Sequence, residues 1–144
     1  PPLVMVALAL AMWGLARMWP DVAFAVPWTT PAAIVLAGLA LVLELAADWH
    51  FLRLRTTTDP RHPERSERLV TRGVHGFSRN PMYVGLAMLL LAWAVCLAHP
   101  GAIALVALFP LYITRFQILP EERALAARFG REYEDYRARV RRWL

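Results

Sequence analysis

The sequence predicts an all-α integral membrane protein with about four transmembrane helices, a tight hairpin between the third and fourth helices, and a C-terminal amphipathic cytoplasmic helix. Three observations support this prediction. The chain has 144 residues, of which 58% are hydrophobic, and the apolar residues form blocks long enough to cross a bilayer. All 16 basic residues are arginine, and they cluster in two segments. The segment after residue 119 places apolar residues at helical spacing among charged ones.

Four apolar blocks define the predicted spans, at residues 3–18, 32–54, 84–98 and 102–119. The third block is short and needs help from its polar flanks to span fully. A chain of this length fits one compact domain. We therefore expect a single membrane domain over residues 1–144, with helices 1 and 2 in 1–55, a cytoplasmic loop in 56–83, the helical hairpin in 84–119 and the tail helix in 120–144.

The arginine clusters predict the orientation of these spans. Seven arginines lie between Arg53 and Arg79, and seven more between Arg123 and Arg142. With four spans, the N-terminus, the loop and the tail share one face, which the positive-inside bias places in the cytoplasm. We expect a bacterial inner-membrane protein with both termini cytoplasmic. The net charge of +5 is interleaved with acidic residues beside membrane spans, so we expect membrane lipids as partners and no nucleic acid.

The cysteine and histidine content points away from disulfides and metals. The single cysteine, Cys96, lies inside an apolar block, so we predict a small core residue and no cysteine metal site within one chain. The four histidines show no ligand spacing with each other or with carboxylates, so we predict no metal. His99 is expected in an outer turn.

Two features inside the apolar blocks shape the predicted bundle. Glu44 and Asp48 lie four residues apart, hence on one face of helix 2, and carboxylates at this depth normally face a cavity or a partner. The stretch LAHPGA puts Pro100 and Gly101 at the tip of a short turn, which predicts a tight antiparallel hairpin. Pro110 is expected to kink the fourth helix.

The stretch SRNPMYVG, residues 78–85, is polar at the entrance to an apolar helix. Asn80 or Ser78 can cap helix 3 while Pro81 takes its first position, which leaves backbone N–H groups for an anion. Arg79 adds a charge-assisted donor, and Tyr83 adds a hydroxyl one turn later. The alternative is a well-capped interfacial helix whose arginine binds lipid phosphate.

The predicted hairpin brings two polar segments to one level. Because helices 3 and 4 are antiparallel, residues 79–85 and 115–122 return to the same cytoplasmic end. Arginine, tyrosine, a helix N-terminus and the carboxylates of Glu121 and Glu122 then converge on one pocket. A ligand with an amino group, a carboxylate and a flat ring would use every part of it. After Pro120 the tail continues as an amphipathic helix that is broken at Gly130.

Two motifs at their proper separation carry a family resemblance. The stretches LVTRGVHGFSRNPMYVG and EERALAARFGREYEDYRARVRR resemble the patterns G-x-x-x-x-x-R-[HN]-P-x-Y-x-G and E-E-x-x-L-x-x-x-F-G-x-x-Y-x-x-Y of isoprenylcysteine carboxyl methyltransferases and their bacterial relatives. Related phospholipid and thiol methyltransferases share the same core. The resemblance covers roughly residues 56–142, and Asn80 stands where the eukaryotic enzymes have histidine.

The resemblance implies S-adenosylmethionine bound at the cytoplasmic end of the hairpin and a methyl acceptor that enters from the membrane. We expect Glu122, and next Glu121, to bind the cofactor's ammonium or ribose hydroxyls. The candidate cofactor-binding residues are Asn80, Pro81, Tyr83, Gly85, Glu121, Glu122, Phe129 and Tyr133. The candidate catalytic residues are Arg79, His75, Arg115 and Glu44.

The acceptor stays open among carboxylate, amine and thiol. Glu44 or Asp48 would hold an amine or take its proton, Arg115 or Arg79 would orient a carboxylate or thiolate, and His75 would act as a base near neutral pH. Two other classes compete with a methyltransferase: a membrane NADPH-dependent reductase of the steroid or sterol reductase type, and a non-enzymatic membrane subunit or transporter. The extra phosphates of the reductase's cofactor would demand more converging basic groups than Glu121 and Glu122, the acid pair, allow.

Overall fold

The computed structural model describes residues 1–24, 26–54 and 69–144, with residues 50–54 described as backbone alone. The first part of the predicted cytoplasmic loop, residues 56–68, lies outside the described residues. Throughout the described ranges the regular secondary structure is helical and no strand occurs, which confirms the all-α prediction.

Seven α-helices run in chain order through the described part. They are α1 (Pro2–Met18), α2 (Thr29–Leu54), α3 (Pro81–Cys96), α4 (Pro100–Val106), α5 (Leu108–Ile113), α6 (Leu119–Phe129) and α7 (Arg131–Arg139). Two 3₁₀ turns, Pro20–Val22 and Gly73–Gly76, and one π-helical turn, Thr114–Ile118, complete the described helical segments.

Two of these helical segments are long and apolar enough to cross a membrane. They are Thr29–Trp49 and Pro100–Phe129, and only 17% and 22% of their most apolar windows is buried inside the protein. Such low burial is typical of a helix that faces lipid, whereas the core helix of a soluble protein would be mostly covered. Pro2–Met18 and Pro81–Cys96 are shorter apolar helices.

The fourth predicted span is a segmented helix that runs on beyond residue 119. Its first segment ends at Val106, four residues before Pro110. Proline has no N–H to donate to the carbonyl four residues earlier, so the helix is interrupted where the predicted kink falls. A π-helical turn then leads directly into α6, whose first turn contains Pro120. The tail helix is thus continuous with the apolar segment, and it breaks at Gly130, as predicted, where φ is +50°.

The turn between α3 and α4 differs from the prediction. Pro100 and Gly101 lie in the first turn of α4, and the turn itself is formed by residues 97–99. His99 is 3% exposed: its Nδ1 accepts a hydrogen bond from the Gly101 N–H at 3.1 Å, and its Nε2 lies 3.2 Å from the Trp19 carbonyl. His99 thus lies in the turn, as predicted, and its ring is buried because an imidazole nitrogen serves as the N-cap acceptor of α4.

A second correction concerns Cys96, which was predicted as a core residue and is exposed. It lies one turn after Trp93, which is also exposed, so both residues occupy the outward side of α3.

The core is built where α1, α3 and the α4–α5 segment meet. Its large side chains with at most 1% exposure are Met12, Leu90, Phe109, Ile113 and Ile118. Tyr83 belongs to the same cluster, and its hydroxyl points out of the core toward the start of α6. The buried core therefore fixes the ring whose hydroxyl enters the polar cluster described next.

Candidate functional site

The N-terminus of α3 forms one wall of a polar cluster. Pro81 is buried in the first turn, and Asn80 is the N-cap residue, but its side chain makes no capping hydrogen bond. The amide Nδ2 of Asn80 instead donates to the carbonyl of Arg142 at 2.9 Å, and the Asn80 N–H donates to Ser78 Oγ at 3.1 Å. The predicted side-chain cap is thus absent, because the last residues of the described chain draw the amide away. Within the described residues, the N–H groups of the first turn of α3 have no side-chain cap.

Glu121, in the first turn of α6, faces this wall. Its Oε1 accepts a hydrogen bond from the Tyr83 hydroxyl at 2.7 Å and another from Gln117 Nε2 at 2.6 Å. Both donors are neutral, so they orient the carboxylate without neutralising it. Glutamine four residues before a glutamate on one helix reaches it by ordinary helical spacing.

Glu122, the next residue, has a different environment. Its Oε1 lies 3.0 Å from Arg79 Nη1, and both side chains are at most 10% exposed. Arg142 approaches the same carboxylate in a fork, with Nε 2.9 Å from Oε1 and Nη2 2.9 Å from Oε2. Two guanidinium groups therefore face one carboxylate, and the buried charge of Glu122 is fully compensated. Hydrogen bonding to Glu122 raises the pKa of Arg142 above its usual value.

Tyr133 and Tyr136 on α7 close the cluster from the tail side. Arg79 Nη1 also donates to the Tyr133 hydroxyl at 3.3 Å, and the Tyr136 hydroxyl donates to the His75 carbonyl at 2.7 Å. Burial raises the pKa of each phenol, so both hydroxyls stay protonated at physiological pH. His75 is 5% exposed in the 3₁₀ turn before α3.

Residues 141–143, which we call the clasp, hold the cluster together through their backbone. The Arg141 carbonyl accepts from the Arg79 N–H at 2.9 Å, and the Arg142 carbonyl accepts from Asn80 and, at 3.4 Å, from Ser78. The indole N–H of Trp143 donates to Thr114 Oγ1 at 3.1 Å. The clasp thus links residues 79–81, which we call the RNP stretch, to the end of the fourth apolar segment.

Known proteins match most of this chain. A family model described as phospholipid methyltransferase matches residues 28–132. The chain belongs to the phospholipid methyltransferase family. An uncharacterized protein of Haemophilus influenzae is 46% identical over 63 residues, which is 44% of this chain and all of that protein. The probable protein-S-isoprenylcysteine O-methyltransferases of both rice subspecies are 34% identical over 109 residues, 74% of this chain and 52% of theirs.

These matches confirm the resemblance seen in the sequence. The chain spans about half the length of the rice relatives, and the family match includes both the RNP stretch and the acid pair. A membrane protein of the phospholipid methyltransferase family therefore carries the polar cluster at the junction of α3, α6 and α7.

Four of the predicted site residues lie outside the cluster: Arg115, Phe129, Gly85 and Glu44. Arg115 is exposed, with its guanidinium carbon 5.7 Å from the centroid of the Phe116 ring. In a regular α-helix Arg115 and Glu122, seven residues apart, would share a face. The π-helical turn between them has more residues per turn, which rotates Arg115 away. Phe129 is half-buried, and the guanidinium carbon of Arg128 lies 5.8 Å from the centroid of its ring.

Gly85 and Glu44 meet on the other side of α3. A Cβ built on Gly85 would overlap the Glu44 carboxyl group, so α2 approaches α3 closely at this glycine. Tyr83 and Gly85 are separated by about 200° around the helix, hence Glu44 does not share the side of Glu121. The same seam holds an apolar cavity of about 180 Å³ between α2, α3 and the residues before it.

Sequence reasoning missed Gln117 and Arg142. Gln117 had a usable signal, since it lies one helical turn before Glu121. Arg142 had none of this kind: it lies 20 residues beyond Glu122, and only the fold brings the two together.

Proposed function

We propose that this protein is an S-adenosylmethionine-dependent integral membrane methyltransferase that acts on a lipophilic or membrane-associated small acceptor. The observation that carries the proposal is the paired but unequal environment of Glu121 and Glu122 beside the N-terminus of α3. Membership of the phospholipid methyltransferase family supports the same chemistry.

The described residues fit the amino-acid portion of that cofactor. Glu121 has neutral hydrogen-bond partners, so an ammonium group would supply the opposite charge that it needs. Arg79 Nε is a buried donor without a hydrogen-bond acceptor among the described residues. Together with the uncapped first turn of α3, it suits a carboxylate. We therefore assign the ammonium to Glu121 ahead of Glu122, which reverses the order expected from the sequence.

The remaining candidate cofactor residues have supporting roles in this proposal. Tyr83 orients Glu121, Tyr133 orients Arg79, and Asn80 with Pro81 sets where α3 begins. Glu122 is a counter-ion for two arginines and acts on the ligand through Arg79.

The chemistry requires placement more than reactive side chains. S-adenosylmethionine supplies, when bound, an electrophilic methyl group attached to a sulfonium. An in-line displacement at such a group needs correct alignment and the exclusion of water. The buried tyrosines and the Arg79–Glu122 pair provide a rigid, water-poor wall for that purpose.

The acceptor is proposed as a lipophilic carboxylate, amine or thiol that reaches the site from the membrane. Arg79 is the candidate catalytic residue nearest the acid pair, and it would orient an anionic acceptor. His75, Arg115 and Glu44 stay as proposed catalytic residues for proton removal, anion orientation and amine binding, respectively. Of these, only His75 is attached to the cluster, through its carbonyl.

We propose four spans, formed by α1, α2, α3 and the α4–α6 segment, in one membrane domain. The helices α1 and α3 have 17 and 16 residues, which is near the lower limit for crossing the hydrocarbon core. Arginine-rich segments on one side support a cytoplasmic location of both termini in a bacterium, with the α3–α4 hairpin at the opposite surface. The cofactor site lies on the cytoplasmic side.

The test is calorimetric titration of the detergent-purified protein with S-adenosylhomocysteine, in parallel with NADPH. Glu121→Gln removes the charge and keeps the shape, and Glu132→Gln makes the same change at an exposed position on α7. We expect S-adenosylhomocysteine to bind wild type and Glu132→Gln with equal affinity. It should bind Glu121→Gln at least about tenfold more weakly, since a charged hydrogen bond is lost. Binding of NADPH alone would overturn the proposal and favour the reductase class.

A further inference from the structure

Arg142 contacts Glu122 and lies six residues beyond Tyr136, the last tyrosine of the second motif's pattern. Its guanidinium bonds both oxygens of Glu122 at 2.9 Å, and its side chain is 32% exposed while that of Glu122 is 10% exposed. A fork of two parallel hydrogen bonds fixes the plane of a carboxylate, which a single contact does not. Arg142 thus sets the orientation of Glu122 from the solvent side.

The backbone of the clasp fixes Arg142 itself. Its carbonyl accepts hydrogen bonds from Asn80 and Ser78, and the neighbouring carbonyl of Arg141 accepts from the Arg79 N–H. The same three-residue stretch therefore holds the backbone of Arg79 and, through Glu122, also its side chain. This attachment through both backbone and side chain distinguishes Arg142 from an arginine in an ordinary surface ion pair.

The oxygen Oε1 of Glu122 is shared by Arg79 and Arg142, whereas Oε2 bonds to Arg142. If the Arg142 guanidinium is removed, Oε2 loses its donor and the carboxylate is free to rotate onto Arg79. Arg79 would then turn away from Tyr133, whose hydroxyl it reaches at 3.3 Å. The donor Nε of Arg79 would turn with it.

We propose that Arg142 is a positioning residue of the cofactor site. By occupying both oxygens of Glu122 it fixes the Arg79 guanidinium, and it leaves Glu121 as the carboxylate of the pair that recognises a cation. The inference rests on the proposed function, because it assigns the arrangement of Arg79 and Glu121 to binding of the cofactor's amino-acid portion.

The test compares S-adenosylhomocysteine affinity, by calorimetry in detergent, in four variants: Arg142→Gln, Arg142→Lys, Glu122→Gln and the double variant Glu122→Gln/Arg142→Gln. Arg139→Gln is the matched control, since it removes the same charge from an exposed site three residues earlier. We expect Arg142→Gln to weaken binding about tenfold, which is the order of a lost charged hydrogen bond. Lysine should restore part of the affinity, because it keeps the charge but cannot form the fork.

The double variant separates positioning from general loss of structure. If Arg142 acts through Glu122, the affinity of the double variant will equal that of Glu122→Gln within about twofold. Independent, multiplying losses would overturn the proposal, as would equal affinities of Arg142→Gln and Arg139→Gln. If a thermal melt shows that Arg142→Gln does not fold, the test compares Arg142→Lys with Arg139→Lys. We then expect Arg142→Lys to bind several-fold more weakly than Arg139→Lys, and equal binding would overturn the proposal. If wild type itself does not bind the analogue, the proposed function fails first and the two failures are distinguishable.

Discussion

Gly85→Ala tests the close approach of α2 and α3. An added Cβ would lie 2.9 Å from Glu44 Cδ and Cγ and closer still to its carboxylate oxygen Oε1, so the Glu44 side chain has to move. Overpacking of this kind lowers the free energy of unfolding by about 1–3 kcal/mol. Alanine in place of glycine in a helix raises it by about 1 kcal/mol. We therefore expect a net loss in the free energy of unfolding, of up to about 2 kcal/mol.

The sign of the effect should reverse when Glu44 is truncated. In a Glu44→Ala background the overlap is gone, so Gly85→Ala should gain up to about 1 kcal/mol. The assay is reversible unfolding in mixed micelles of a mild detergent and dodecyl sulfate. Gly38→Ala on α2, where an added Cβ meets nothing within 4 Å, is the control. A Gly85→Ala change that stabilises both backgrounds equally would refute the reasoning.

Three further substitutions test a hydrogen bond, a helix cap and a strained backbone position. Tyr83→Phe removes the 2.7 Å hydrogen bond to Glu121 and should weaken S-adenosylhomocysteine binding by about 1 kcal/mol, measured by calorimetry. His99→Ala removes the α4 cap and the contact with the Trp19 carbonyl, and should lower the free energy of unfolding by about 2 kcal/mol. Gly130→Ala puts a Cβ on a residue with φ +50°, and nothing lies within 4 Å of that Cβ. It should therefore lower the free energy of unfolding by about 1–3 kcal/mol, through backbone strain alone.

Each of these has an outcome that contradicts it. Tyr112→Phe, at a tyrosine 44% exposed, should leave binding unchanged, and equal losses at both tyrosines would remove the specific role of Tyr83. A His99→Ala variant as stable as wild type would mean that the cap contributes nothing. For the break between α6 and α7, Gly14→Ala is the control, because an added Cβ there also meets nothing within 4 Å. Equal stability changes at Gly14 and Gly130 would contradict the strain argument.

Local chemistry accounts for the parts of the fold that sequence predicted well. Proline positions predicted the start of α3, the interruption near Pro110 and the start of α6, because a missing N–H acts on its own helix whatever surrounds it. Glycine at the α6–α7 break is equally local, since its φ of +50° disfavours other residues. Cys96 was predicted wrongly because its burial depends on which face of a helix meets its neighbours, and a uniformly apolar helix carries no such signal.

The candidate site was predictable as a set of residues and not as a set of partners. Spacing along the helices was enough to bring residues 79–85 and 115–122 to one level. It did not pair Tyr83 with Glu121 or Arg79 with Glu122, which only the structure does. The fork from Arg142 and the position of Arg115 were out of reach. The first needs the chain beyond α7 to turn back onto α3, and the second depends on a π-helical turn that shifts the helical phase.

The acid pair shows why partners matter more than residue types here. Adjacent glutamates look equivalent in the sequence, and a charge-based argument cannot rank them. In the structure Glu122 has two arginines against it, whereas Glu121 has a phenol and an amide. A carboxylate already compensated in a buried fork gains little from a further cation, and one held by neutral donors gains more. The difference between the two sites is therefore created by Arg79 and by the clasp, which adds Arg142 beside the same glutamate.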